Sequence, residues 1–302
     1  MATLKGKYLS GIVGNVVYKP WRAIQVVQSK PAPQSIKQTK ATKKAAGHFG
    51  KSSALARDIR EMFGFLIHEF YDGPMIERLV SETRKVVTDS YQAQSNTYHF
   101  SENSFDRLSR FDYNLKSPVR NSLNVLPVFS LTADELTVTL PELENHKDLK
   151  FPKGASGCVI HIHVQSYNLE HGIKINNFQL PQIAVTIDQA IIEKQEFKFT
   201  LPAECLSLTT IGLHYYKSVY SNTTLINSKE FSPTAICSAI VTSGAFKKEM
   251  KHRGANPKVA FGKADYTGRD LPKSMIQETK QETNSDPFAR LRQQYLEQEN
   301  EE

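Results

Sequence analysis

The chain has 302 residues, 39% of them hydrophobic and 23% charged, and a net charge of +7 from 38 Lys+Arg against 31 Asp+Glu. That length accommodates two domains and a sizeable core, and no stretch approaches the roughly 20 apolar residues of a membrane-spanning helix. Three cysteines, Cys158, Cys205 and Cys237, are too few and too scattered for a disulfide framework or a zinc site.

The N-terminal run from Met1 to Tyr8 lacks the apolar stretch of a secretory signal, so the expected compartment is the cytoplasm. Residues 10–31 read as a β-hairpin. Ile12–Tyr18 and Ile24–Ser29 are rich in β-branched residues and flank Lys19-Pro20-Trp21-Arg22. Pro20 suits a turn there, since it has no N–H to give to a central strand. A lone hairpin is marginal in water, so this one must dock on something. Pro31 and Pro33 end it in an extended stretch. Over 39–71, Ala45, Phe49, Ala56, Ile59, Phe63, Leu66 and Phe70 recur every three to four residues, which predicts a helix. Asp72-Gly73-Pro74 breaks it and opens a second helix, whose apolar side is Met75, Ile76, Leu79, Val80, Val86 and Val87 and which ends near Ser90. Residues 91–120 read as a long irregular connection anchored by scattered aromatics.

From about residue 121 the pattern turns to strands. In Cys158–Gln165, Cys158, Ile160, Ile162 and Val164 alternate with His161 and His163. Further short strands, over 124–130, 135–140, 173–180, 183–192, 196–201, 209–220 and 234–242, are punctuated by prolines, as in an antiparallel sandwich. After Phe246 the apolar content falls. Residues 247–285 read as a solvated tail, and Asp286-Pro287 with Phe288, Leu291, Tyr295 and Leu296 as a short terminal helix. The expected fold is α+β: a basic β-hairpin arm at 1–38, a helical hairpin and connection at 39–120, a β-sandwich domain at 121–246 and a disordered tail at 247–302.

The charge is unevenly spread. Residues 1–60 hold twelve basic side chains against Asp58 alone, 61–246 are net −5, 247–273 are +5 and 274–302 are −4. A basic arm on an acidic body suits a polyanion, an acidic partner or a neighbouring copy. Gly50-Lys51-Ser52 is not a phosphate loop, because Ala45 stands where that loop needs its first glycine. His161 and His163 share a strand face, but no carboxylate or thiol of ligand spacing completes a metal set. Neither a metal nor any other cofactor is expected. No Gly-x-Ser-x-Gly elbow, convincing Cys–His pairing or Gly-x-Gly-x-x-Gly run appears, so the chain reads as non-enzymatic, with no small-molecule substrate. The strongest signal is in Lys19, Trp21, Arg22, Lys30, Lys43 and Lys44, which combine an aromatic ring with cations. These residues suit an acidic protein surface, or the bases and phosphates of a nucleic acid. A protein partner or self-assembly is the first reading and nucleic acid the alternative; no membrane partner is expected.

The opening also resembles a known pattern. Gly11-Ile-Val-Gly14-Asn15-Val16-Val17-Tyr18, then Gln25–Pro31, then Gln38-Thr39 and a helix with Phe49, is similar to the start of an uncharacterised bacterial family whose members open with a Gly-Asn-Val-Val hairpin. Comparable openings occur among small phage-like structural proteins. The resemblance covers about residues 5–70 and departs at Gln28, where such openings often carry arginine, and in the additional segment 247–302. It implies a hairpin–helix module joined to sandwich domains, a design suited to assembly, and it carries no activity or catalytic residue.

Overall fold

The computed structural model describes residues 2–32, 39–175, 180–220, 222–247, 252–262 and 264–267, with the backbone alone for 252–254 and 264–267. The chain divides into two compact units, Met1–Gly47 and His48–Glu302. It mixes helix with several antiparallel sheets.

The first unit holds four strands in meander order: β1 (Ala2–Lys5), β2 (Tyr8–Val13), β3 (Val16–Trp21) and β4 (Ile24–Ser29). Two-residue turns join them, and Gly6 (φ 62), Gly14 (φ 57) and Arg22 (φ 55) take the left-handed backbone at their first positions. The expected single strand Ile12–Tyr18 is therefore two strands folded on each other, because the Gly14-Asn15 turn interrupts the β-branched run. Pro20 is not in a turn. It sits in β3, an interior strand, opposite Gln25. Its missing N–H falls on the β2 side, where the register places Leu9, and there the Gln25 side-chain amide bonds the Leu9 backbone instead.

Helix α1 (Lys40–Met62) opens on Thr39, whose Oγ1 accepts the Thr42 N–H at 3.1 Å. The chain breaks at Phe63 and continues as α2 (Gly64–Ile67), which ends on His68 in the left-handed conformation, φ 46. Helix α3 (Met75–Asp89) starts one residue after Pro74, as the sequence suggests. The 91–120 stretch is more regular than expected. It contains β5 (Tyr91–Gln92), β6 (Thr97–Ser101) and β7 (Phe111–Asp112), and its anchors Tyr98, Phe100, Phe105, Phe111 and Tyr113 are all buried.

The remaining strands are β8 (Val128–Thr132), β9 (Glu135–Leu140), β10 (Leu143–Glu144), β11 (Gly157–Asn168), β12 (Ile173–Ile175), β13 (Gln182–Thr186), β14 (Ile191–Ile192), β15 (Gln195–Thr200), β16 (Cys205–Val219), β17 (Asn222–Leu225), β18 (Thr234–Val241), β19 (His252–Ala255) and β20 (Ala264–Thr267). The largest sheet runs β19-β12-β11-β16-β18-β7, with β13 beside β11 and β17 beside β16. A three-stranded sheet has the order β15-β9-β8, a two-stranded sheet pairs β10 with β14, and a third small sheet runs β20-β6-β5. Among these pairings only β20–β6 is parallel.

Alternation along β11 decides what each face buries. Ile162 and Val164 pack with Leu136, Val138, Phe199 and Leu201 of β9 and the β15 region. Cys158 and Ile160 join a second cluster with Leu140, Leu143 and Leu213. Tyr167, on the opposite face, joins α1 and α3 through Leu55, Ile59, Met75 and Leu79. Gly212 on β16 lets α2 approach that face: a Cβ there would stand 3.3 Å from the Leu66 side chain.

The expected solvated tail is corrected over part of its length. Strand β19 pairs with β12 and β20 with β6, and Val259 and Phe261 are buried in the helix-side core. Few apolar residues suffice there because each enters a cluster already built by other elements. The expected terminal helix at 286–296 lies outside the described residues.

Candidate interaction surface

The six basic and aromatic residues singled out in the sequence fall in three places. Lys19 and Trp21 lie in β3, and Arg22 occupies the turn that follows. These three are brought together: the Arg22 guanidinium stands 5.1 Å from the Trp21 ring centroid. Lys30 lies at the other end of the same ladder, where its N–H bonds the Asn15 carbonyl at 2.6 Å. A six-residue strand separates it from Arg22 by roughly 17–20 Å. Lys43 and Lys44 belong to α1.

Register sets the faces of the sheet. Trp21 pairs with Ile24, Lys19 with Val26 and Ile12 with Val17, so these residues share one face. Leu4 pairs with Leu9 and Tyr18 with Val27, and these occupy the other, together with Val13. Trp21 is 56% exposed and Ile24 59%, while Leu4, Val13 and Val27 are exposed on the opposite side. No residue from 2 to 32 is buried. A sheet ordinarily keeps one apolar face and covers it; this one shows apolar groups on both. The tip is braced by Tyr8, whose hydroxyl donates to the Ala23 carbonyl at 2.6 Å. Tyr8 is brought to the tip by the Gly14-Asn15 turn, which lies inside the β-branched run, and Ile24 and Val26 share the Trp21 face because the next turn falls at Arg22-Ala23 rather than at Pro20.

The histidine pair is not a surface feature. His163 is 3% exposed, and its ring packs 5.5 Å from Phe63 and 4.7 Å from Phe65. His161 lies 4.5 Å from His214, and His214 lies 4.9 Å from His68, ring to ring. Burial, reinforced by His214 and His68, pulls the His161 imidazole down to about 4. His214 is also lowered by burial, although its Nε2 lies 2.9 Å from the Leu66 carbonyl. Among the described residues, no three His, Cys, Asp or Glu side chains are placed to hold a metal. Cys158 and Cys205 are buried and Cys237 half-buried. Burial raises all three thiols, Cys205 and Cys237 to about 12. Such thiols pack as small apolar groups. No helix among the described residues is long and apolar enough to cross a membrane.

No family model matches the chain, and no curated protein matches it either.

Proposed function

We propose that this chain is a non-enzymatic assembly or adaptor protein that docks through its N-terminal β1–β4 sheet. The observation that supports it is a four-stranded sheet with exposed apolar side chains on both faces and no buried residue. Strands β1 and β4 are its two edges, each offering a row of backbone groups to which a partner strand can add. Lys5, Lys7, Lys19, Arg22 and Lys30 bias the partner toward an acidic surface, either another protein or a second copy. In this reading the second unit is the scaffold: the β15-β9-β8 sheet faces the β11–β16 sheet across Val138, Phe199, Ile162 and Val164 as a β-sandwich. The expected setting is cytoplasmic. A variant lacking residues 1–35 keeps the cooperative thermal melt of the second unit and loses association in light scattering; unchanged association rejects the proposal.

A nucleic acid is the second reading, favoured by the exposed Trp21 with Arg22 stacked on it and Lys19 on the same strand. It predicts retention on heparin. Affinity should fall about 10³-fold or more between about 50 and 200 mM salt if six or so phosphates are engaged. A flat salt response leaves the protein partner as the reading.

A further inference from the structure

We propose that the cleft between the 110–129 stretch and β18 binds a small amphiphilic anion, a monocarboxylate bearing one ring or a short alkyl chain. The cleft offers about 230 Å³, well beyond the space of a single water. Its walls are apolar: Val119, Leu126, Phe129, Ile236 and Cys237. The Cys237 thiol stays neutral there, its pKa raised by burial to about 12, and so belongs to the apolar wall. A mostly apolar concavity with a few charged groups at its margin is the usual form of a small-molecule site.

Three charged residues line it, Arg110, Arg120 and Asp112. The Asp112 carboxylate is already engaged, accepting the Val119 N–H at 2.9 Å. Among the described residues, neither the Arg110 nor the Arg120 guanidinium makes a hydrogen bond, although the Arg120 charge, with that of Arg78, already acts on the Asp112 carboxylate. Two cations against one carboxylate leave the cleft one positive charge in excess, which matches a monoanion. Arg110 is fixed at its backbone. Its backbone is left-handed, φ 69, and is pinned by a hydrogen bond of 2.6 Å from its N–H to the Ile236 carbonyl, on the cleft floor. The planar fork of arginine fits a carboxylate in two parallel hydrogen bonds. The apolar remainder of the ligand then takes the wall of Leu126 and Phe129.

The test is calorimetry on the full chain with phenylacetate, and with 2-phenylethanol as its neutral counterpart. Phenylacetate binds with Kd on the order of 0.1–1 mM, as expected for so few atoms. The alcohol binds at least about tenfold more weakly, and Arg110→Gln and Arg120→Gln each weaken phenylacetate by about tenfold or more. Both arginines are exposed, so these variants keep the parent thermal melt. Leu126→Glu, at a position 37% exposed, puts a like charge in the cleft and abolishes binding. Phenylacetate failing to bind at about 10 mM, the alcohol binding equally well, or arginine variants behaving as the parent would each overturn the proposal.

Discussion

Lys174 places its ammonium 3.1 Å from Asp58, a helix α1 carboxylate that is only 1% exposed. The same ammonium lies 2.7 Å from Glu61. Asp58 also accepts the Tyr167 hydroxyl and the Asn256 side-chain amide, both at 2.9 Å. One buried charge thus ties α1 to β11, β12 and the 252–262 segment. Asp58→Ala removes the acceptor of all three donors and should cost about 3–5 kcal/mol in urea unfolding. Glu61→Gln, at an exposed pair, should cost under about 1 kcal/mol. Equal costs would mean that the buried carboxylate has no special role.

Gln25 offers a test of how the N-terminal sheet tolerates an interior proline. Its Nε2 donates to the Leu9 carbonyl at 3.1 Å and its Oε1 accepts the Leu9 N–H at 2.8 Å. Gln25→Ala should cost about 1 kcal/mol and speed exchange of the Leu9 amide. In a Pro20→Val background a backbone N–H becomes available on β3, so the loss of Gln25 should cost less. Additive effects of the two substitutions would argue against the substitution of one bond for the other.

Two glycines should respond in opposite directions to alanine. A Cβ at Gly157 would stand 2.7 Å from the Val185 carbonyl and overlap the Tyr216 ring. Gly157→Ala should therefore cost roughly 1–3 kcal/mol. At Gly47, in α1, a Cβ meets nothing within 4 Å, and Gly47→Ala should gain up to about 1 kcal/mol. Melting temperatures read both.

The histidine cluster should make folding stability depend on pH. The folded chain holds His161 down to about 4, against an ordinary 6.5, so the unfolded chain takes up a proton that the folded one refuses. This contribution is full above about pH 6.5 and is lost as pH falls toward 4. Between about pH 6.5 and 5 the loss amounts to about 1.5 kcal/mol, and His214, lowered in the same direction, adds to it. Urea midpoints across that range should shift in the parent and much less in His161→Gln.

Trp21 is the single tryptophan of the chain and is more than half exposed. Its emission therefore reports on the tip of the β3–β4 hairpin alone. If the sheet docks as proposed, emission moves to shorter wavelength as complexes form, and Trp21→Ser weakens association by at least about tenfold, the scale of an aromatic anchor. A complex that leaves the emission unchanged forms elsewhere.

Much of this organisation can be read in the residues themselves. The three-to-four spacing through Phe49, Ile59 and Phe63 and the break before Met75 locate the helices, since helical periodicity and a helix-opening proline are local signals. The alternation of Ile160 and Ile162 with His161 and His163 locates β11 for the same reason. Long-range facts are less visible. Nothing local says that Phe63 and Phe65 will cover His163, or that Gly14-Asn15 will split a run that looks continuous. Val259 and Phe261 stand alone in a polar stretch, and their burial depends on partners far away in the chain. The charge of Arg110 and Arg120 could be counted but not placed beside Phe129, because the cleft is formed by strands over a hundred residues apart.

The contact that seals the helix-side core has a consequence in time. Lys51 Nζ bonds the Ala260 carbonyl across a sequence separation of 209 residues, and the Phe261 ring lies 4.9 Å from Tyr98 and 5.4 Å from Phe100. At about 5–20 residues per second, the ribosome makes Ala260 roughly 10–40 s after Lys51. For roughly the last 8–30 s of that interval, once Phe100 has been made, the nascent chain carries a set of aromatic rings with no lid. Those seconds are when a chaperone has the most to hold.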